Sequence, residues 1–112
     1  MTPALYNISI PQNATYKLDF QFKGSDGVPL NMTGYQVFAQ LWTANKSKQI
    51  GQFTVTWVDK SIGKVTLSLN TTNTANINNV GYWDLLVVNP DGTKDYWVRG
   101  KTALAVGYTV NV

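Results

Sequence analysis

The side chains able to do chemistry are few. The 112-residue chain has six acidic residues, all aspartates, and neither histidine nor cysteine. That removes the commonest general base, the thiolate nucleophile and the usual soft metal ligands. Hydrolysis then needs paired carboxylates, and the spacing does not supply them. Asp26, Asp59 and Asp91 sit among turn residues, where an aspartate serves its own backbone. Asp91 and Asp95 flank one turn, but no acidic ligand series at calcium-loop spacing surrounds them. Gly24 and Gly27 bracket a hairpin turn and precede no helix, so they do not form a phosphate loop. Asp84 differs, because it lies mid-strand among apolar residues. Burial there demands a partner, and Arg99 or Lys101 on the adjacent strand is the expected one, in a structural ion pair. The reading is a chain with no catalytic residues, no cofactor site and no metal site.

Aromatic side chains are the other chemical resource. Phe38, Trp42, Trp57, Tyr82, Tyr96 and Trp97 are candidates for exposed or half-exposed positions. Rings on a β-sheet surface can stack sugars, and they can equally anchor a protein interface. The group is too large for the core of so small a domain, so some members are expected to meet another chain. The charge is +3, and the basic residues are scattered, with Arg99 the single arginine. That pattern disfavours nucleic acid as a partner. The longest purely apolar run, Leu85 to Val88, is far too short to span a bilayer. The N-terminus lacks the basic and apolar regions of a secretory signal, so the expectation is a soluble product starting at Met1. Without such a signal the five glycosylation sequons read as by-products of an Asn- and Thr-rich composition.

The elements that must position these residues are strands. The organising segment is Gly81 to Thr93, a strand ended by Asn89-Pro90-Asp91-Gly92. Pro90 fixes its own φ, and Asp91 and Gly92 tolerate turn conformations. Trp83, Leu85 and Val87 point one way, and Tyr82, Asp84, Leu86 and Val88 the other. Both sets are largely apolar, which predicts a central strand dry on both faces. Lys94 to Val98 then returns antiparallel, and Gly100 suggests a bulge or bend. Upstream, Leu5 to Ile10 alternates and is stopped by Pro11. Tyr16, Leu18, Phe20 and Phe22 form the clearest period-two pattern. The segment from Val28 to Gly34 crosses irregularly, with Leu30 and Met32 closing one end of the core. In Tyr35 to Thr43, Val37, Ala39 and Leu41 face inward, which leaves Phe38 and Trp42 outside. Ala44 to Gln49 reads as a polar loop. Phe53 to Trp57 and Lys64 to Leu69 read as strands around a turn, and a helical turn capped by Thr72 or Asn73 follows, with Ile77 beneath it. Thr102, Leu104 and Val106 continue inward, and Tyr108 and Val110 trail toward the terminus. Seven to eight strands with turn signals every eight to twelve residues describe one domain over 1–112, an all-β antiparallel two-sheet sandwich.

Four segments stand out together: Tyr6 to Thr15, Asp26-Gly27-Val28-Pro29-Leu30-Asn31-Met32-Thr33-Gly34-Tyr35, Gly81-Tyr82-Trp83-Asp84-Leu85 with Asn89-Pro90-Asp91-Gly92-Thr93, and Val98-Arg99-Gly100. Taken together they resemble small immunoglobulin-like structural proteins of tailed bacteriophages. They fall in the family's order along nearly the whole chain, with Asn13 where glycine is usual and Asn31 where aspartate is usual. The resemblance implies an immunoglobulin-like fold and a non-enzymatic virion component of tail, neck, baseplate or head surface. Such a protein is assembled in the host cytoplasm with other virion proteins, in multiple copies, and the family has no catalytic residues to carry over. On this reading Phe38, Trp42, Trp57, Tyr96, Tyr108 and Val110 are the candidate interface. The alternative is a carbohydrate-binding module that recognises host surface glycans by aromatic stacking.

Overall fold

The computed structural model describes residues 4–43, 46, 48–75 and 81–105. Its strands are β1 (Ala4–Leu5), β2 (Ile8–Pro11), β3 (Tyr16–Gln21), β4 (Gln36–Thr43), β5 (Gln49–Gln52), β6 (Thr54–Asp59), β7 (Lys64–Leu69), β8 (Gly81–Val88) and β9 (Lys94–Ala105). One helical turn, α1 (Thr71–Ala75), joins β7 to the segment before β8. The larger sheet runs β1-β9-β8-β4-β5, with β2 also on β9, and the smaller runs β3-β7-β6. A β3-β7-β6 sheet facing a β4-β8-β9 sheet is the immunoglobulin arrangement, and β5 extends it as an added edge strand.

Alternation places the core where the sequence implies. Val37, Ala39 and Leu41 of β4, Val65, Leu67 and Leu69 of β7, and Trp83, Leu85 and Val87 of β8 are buried. Each large aliphatic buried this way contributes about 1.5–3 kcal/mol. Trp83 sits at the centre, with Phe20 stacked 6.0 Å away and Phe53 edge-on at 5.9 Å. Met32 is buried and Leu30 packs against the core, so the crossing segment does close one end. At the other side of the hairpin, Gly92 takes φ +90° in the turn, and the Asn89 N–H donates to the Thr93 carbonyl.

Several expectations change. The N-terminal strand is two strands, broken at Tyr6 and Asn7, and both pair parallel with β9; every other strand pairing among the described residues is antiparallel. The break occurs because the chain crosses over Gly100. A Cβ there would fall on the Tyr6 carbonyl and within 3.0 Å of Trp83 Nε1. Gly100 therefore permits a close approach rather than forming a bulge. The bulge lies at Trp97: Leu85 pairs with Val98 but Leu86 pairs with Tyr96. Trp97 and Val98 consequently both pack against the core, Trp97 edge-on to Phe22 at 5.6 Å. Gln49 belongs to a short strand, β5, rather than to the polar loop, and pairs with Trp42. Asn70, not Thr72 or Asn73, caps α1: its side-chain oxygen accepts from the Asn73 N–H at 2.8 Å. Ile77, Val106, Tyr108 and Val110 lie outside the described residues.

Candidate interaction face

The strand β8 is central, but only one of its faces is dry. Tyr82 is 48% exposed, and Asp84, Leu86 and Val88 are half-buried. Nothing from the smaller sheet covers this side, so the outer face of the larger sheet is a continuous surface. Its composition follows from the strand register. In one row Phe38 lies opposite Leu86, and Leu86 opposite Tyr96. The next row reads Gln52, Gln40, Asp84, Arg99 and Leu5, and the one beyond it Gln49, Trp42, Tyr82 and Lys101. Directly opposed residues on one sheet face have their Cβ atoms about 4.5–5.5 Å apart, so each row is a set of touching or near-touching side chains.

The sequence-derived candidates separate on this map. Phe38 is 41% and Tyr96 52% exposed, and both belong to the apolar row. Tyr96 reaches it only because the Trp97 bulge shifts the register. Trp42 is half-buried on the same face, four residues along β4. Trp57 is not on it. It lies on β6 of the smaller sheet and packs inward, with its ring 6.3 Å from that of Phe22 and the Lys60 ammonium 5.0 Å above it. Tyr108 and Val110, the remaining candidates, fall in the undescribed C-terminal segment.

Two residues that the ring inventory did not group with Trp42 complete the polar end of the face. Gln40 Oε1 accepts from the Trp42 indole N–H at 3.0 Å, which fixes the ring and leaves the Gln40 amide donors unused by it. Asp84 lies directly opposite both Gln40 and Arg99. The expected ion pair with Arg99 or Lys101 does not form among the described residues. Burial raises the Asp84 pKa above its ordinary value of 3.8, and the attraction of Lys46 offsets this only in part. A hollow of about 190 Å³ is lined by Gln40, Trp42, Thr43, Lys46, Tyr82 and Asp84, together with the Trp83 segment. Across the Tyr82–Asp84 ridge a second hollow, about 310 Å³, reaches Leu5, Arg99 and Lys101.

The aspartates elsewhere are accounted for by local structure. Asp91 accepts from the Thr93 hydroxyl at 2.6 Å and the Thr93 N–H at 3.0 Å, which lowers its pKa. Asp59 caps a short 3-10 turn through Ser61, and Asp26 accepts from the Val28 N–H. Asp19 accepts from the Thr66 hydroxyl at 2.7 Å across the β3–β7 pair. Among the described residues no three acidic groups gather where they could hold a metal ion. No described helix is long and apolar enough to cross a membrane.

No family model and no curated protein matches the chain. Among solved structures, the filamin domain of Lin-41 superposes with a TM-score of 0.48 at 16% identity, over 87% of this chain and 82% of that one.

Proposed function

We propose that this chain is a non-enzymatic structural protein of a bacteriophage particle, docking on other virion proteins through the outer face of its larger sheet. The particle context rests on the four segments that resemble phage immunoglobulin-like proteins. The surface rests on one observation, the exposed Phe38–Leu86–Tyr96 row on a sheet face that the smaller sheet does not cover. Exposed aromatics set side by side on a rigid sheet are the anchor type that interfaces favour. A rigid sandwich can present such a row without a large ordering cost on docking. The role is a component of tail, neck, baseplate or head surface, present in several copies per particle.

The test is incorporation. A Phe38→Ser, Tyr96→Ser variant removes two rings from the row and none from the core. Its melting temperature is expected to stay within a few degrees of the parent. Its copy number in assembled particles, counted by quantitative mass spectrometry, is expected to fall at least about tenfold. Incorporation at the parental level by a folded variant would rule out this face as the docking surface.

A further inference from the structure

We infer that the polar end of the outer face, at Gln40, Trp42, Tyr82 and Asp84, is a binding site for a neutral pyranose. The site lies one row and more from the Phe38–Leu86–Tyr96 row and stands independently of the docking reading.

The first support is Asp84. Its carboxylate is half-buried, yet it accepts no hydrogen bond and forms no ion pair among the described residues, although Arg99 lies directly opposite. Every other aspartate with a hydrogen-bonding neighbour described above is satisfied by one. A partly desolvated carboxylate without donors is unfavourable for the free protein and is relieved by a ligand that brings hydroxyl groups. The second is Gln40. Its oxygen is held by the Trp42 indole, so its amide N–H groups remain as oriented donors next to Asp84. An acceptor pair beside a donor pair matches two neighbouring hydroxyls on one sugar ring. The third is the aromatic frame. Trp42 and Tyr82 are cross-strand neighbours, but no ring contact joins them among the described residues, so neither face is used on the other. Rings with free faces stack on the C–H side of a pyranose. The hollow between them, about 190 Å³, suits one ring rather than a larger cofactor. The second hollow across Tyr82 gives room for a neighbouring sugar. Asp84 and Lys46 line the hollow together and offset one another, so it holds no net charge for an acidic sugar to pair with, and its hydrogen-bonding groups suit a neutral ring.

The experiment is a titration of the whole chain, followed by amide and indole NMR. The probes are the methyl pyranosides of glucose, galactose, mannose and rhamnose, N-acetylglucosamine, and N-acetylneuraminic acid. At least one neutral probe is expected to shift the Trp42 indole and the Gln40 side-chain amide with a dissociation constant of about 1–10 mM. N-acetylneuraminic acid is expected to bind no more tightly than the best neutral probe, and tighter binding by it would overturn the neutral-sugar reading. Asp84→Leu and Tyr82→Ala should each weaken binding about tenfold or more, and Asp84→Asn, which keeps the shape, should weaken it less. Absence of shifts at these residues with every neutral probe to about 50 mM overturns the site. So does binding that Asp84→Asn and Tyr82→Ala both leave unchanged.

Discussion

Along β8 the side chains that face the smaller sheet and those that face away answer to different demands. Trp83, Leu85 and Val87 are wholly enclosed, matched to Phe20, Phe53 and the β4 and β7 residues around them. Tyr82, Asp84 and Leu86 alternate with them in the same strand, and each is poorly matched to its own protein. Tyr82 is about half exposed, Asp84 accepts no hydrogen bond among the described residues, and Leu86 lies in the apolar row with exposed Phe38 and Tyr96. One strand therefore carries the buried core on its odd positions and the proposed recognition surface on its even ones. Substitutions at adjacent positions should separate cleanly into those that unfold the chain and those that leave it folded but change what it binds.

The sharpest way to test this contrast is at the inner face. Leu85→Ala empties a fully buried position and is expected to cost about 2–5 kcal/mol, read as the loss of midpoint in urea unfolding. An effect under about 1 kcal/mol would mean that the inner face is not the stability-bearing one. Gly100→Ala should come next, at about 2–3 kcal/mol. The added methyl must displace the Tyr6 carbonyl, and with it the bond that carbonyl accepts from Trp83 Nε1 at 2.8 Å. Amide exchange should then show Leu5 to Ile8 losing protection before β8 does.

The outer face should respond with the opposite sign. In the folded chain the Asp84 pKa is raised, so its ionisation costs more there than in the unfolded chain. Stability is accordingly lower above the folded pKa and recovers as pH falls through it, until both states are protonated below about 3.8. Asp84→Asn removes that cost. It is expected to raise stability at pH 7 by a few tenths of a kcal/mol, given the exposure of the group, and the gain should vanish near pH 3.5. A destabilised variant at pH 7 would show that the carboxylate has a partner after all. A stabilising change that also weakens sugar binding would mark Asp84 as kept for recognition rather than for folding.

How far the sequence could be read depended on whether local or tertiary physics decides. The period-two pattern of β3, β4 and β7, the Asn-Pro-Asp-Gly turn and the outward placement of Phe38 and Trp42 are local, and they were legible. Gln49 to Gln52 has no such pattern, because two glutamines and a buried glycine flank Ile50. That strand exists through pairing with β4. A glycine inside a strand pattern predicts a bulge, and only the fold shows that Gly100 instead lets the chain cross at Tyr6. The Tyr96 position depends on the bulge at Trp97, which turns Tyr96 outward while Val98, Thr102 and Leu104 keep the inward face expected of them. The Gln40–Trp42–Tyr82–Asp84 grouping joins two strands some forty residues apart, and no spacing rule announces it. A lone aspartate within an otherwise apolar strand is its one visible sign, and neither partner expected for it, Arg99 or Lys101, pairs with it among the described residues.

The parallel attachment of the N-terminal strands has a consequence for how the molecule is threaded. Ala4 abuts Val98, near the β8–β9 turn, whereas Ala105 abuts Pro11 at the far end of the same strand. These two contacts lie roughly 23 Å apart along β9 at the usual rise per residue. Tension applied between Ala4 and Ala105 would load the β1–β9 and β2–β9 hydrogen bonds together rather than unzip them one by one.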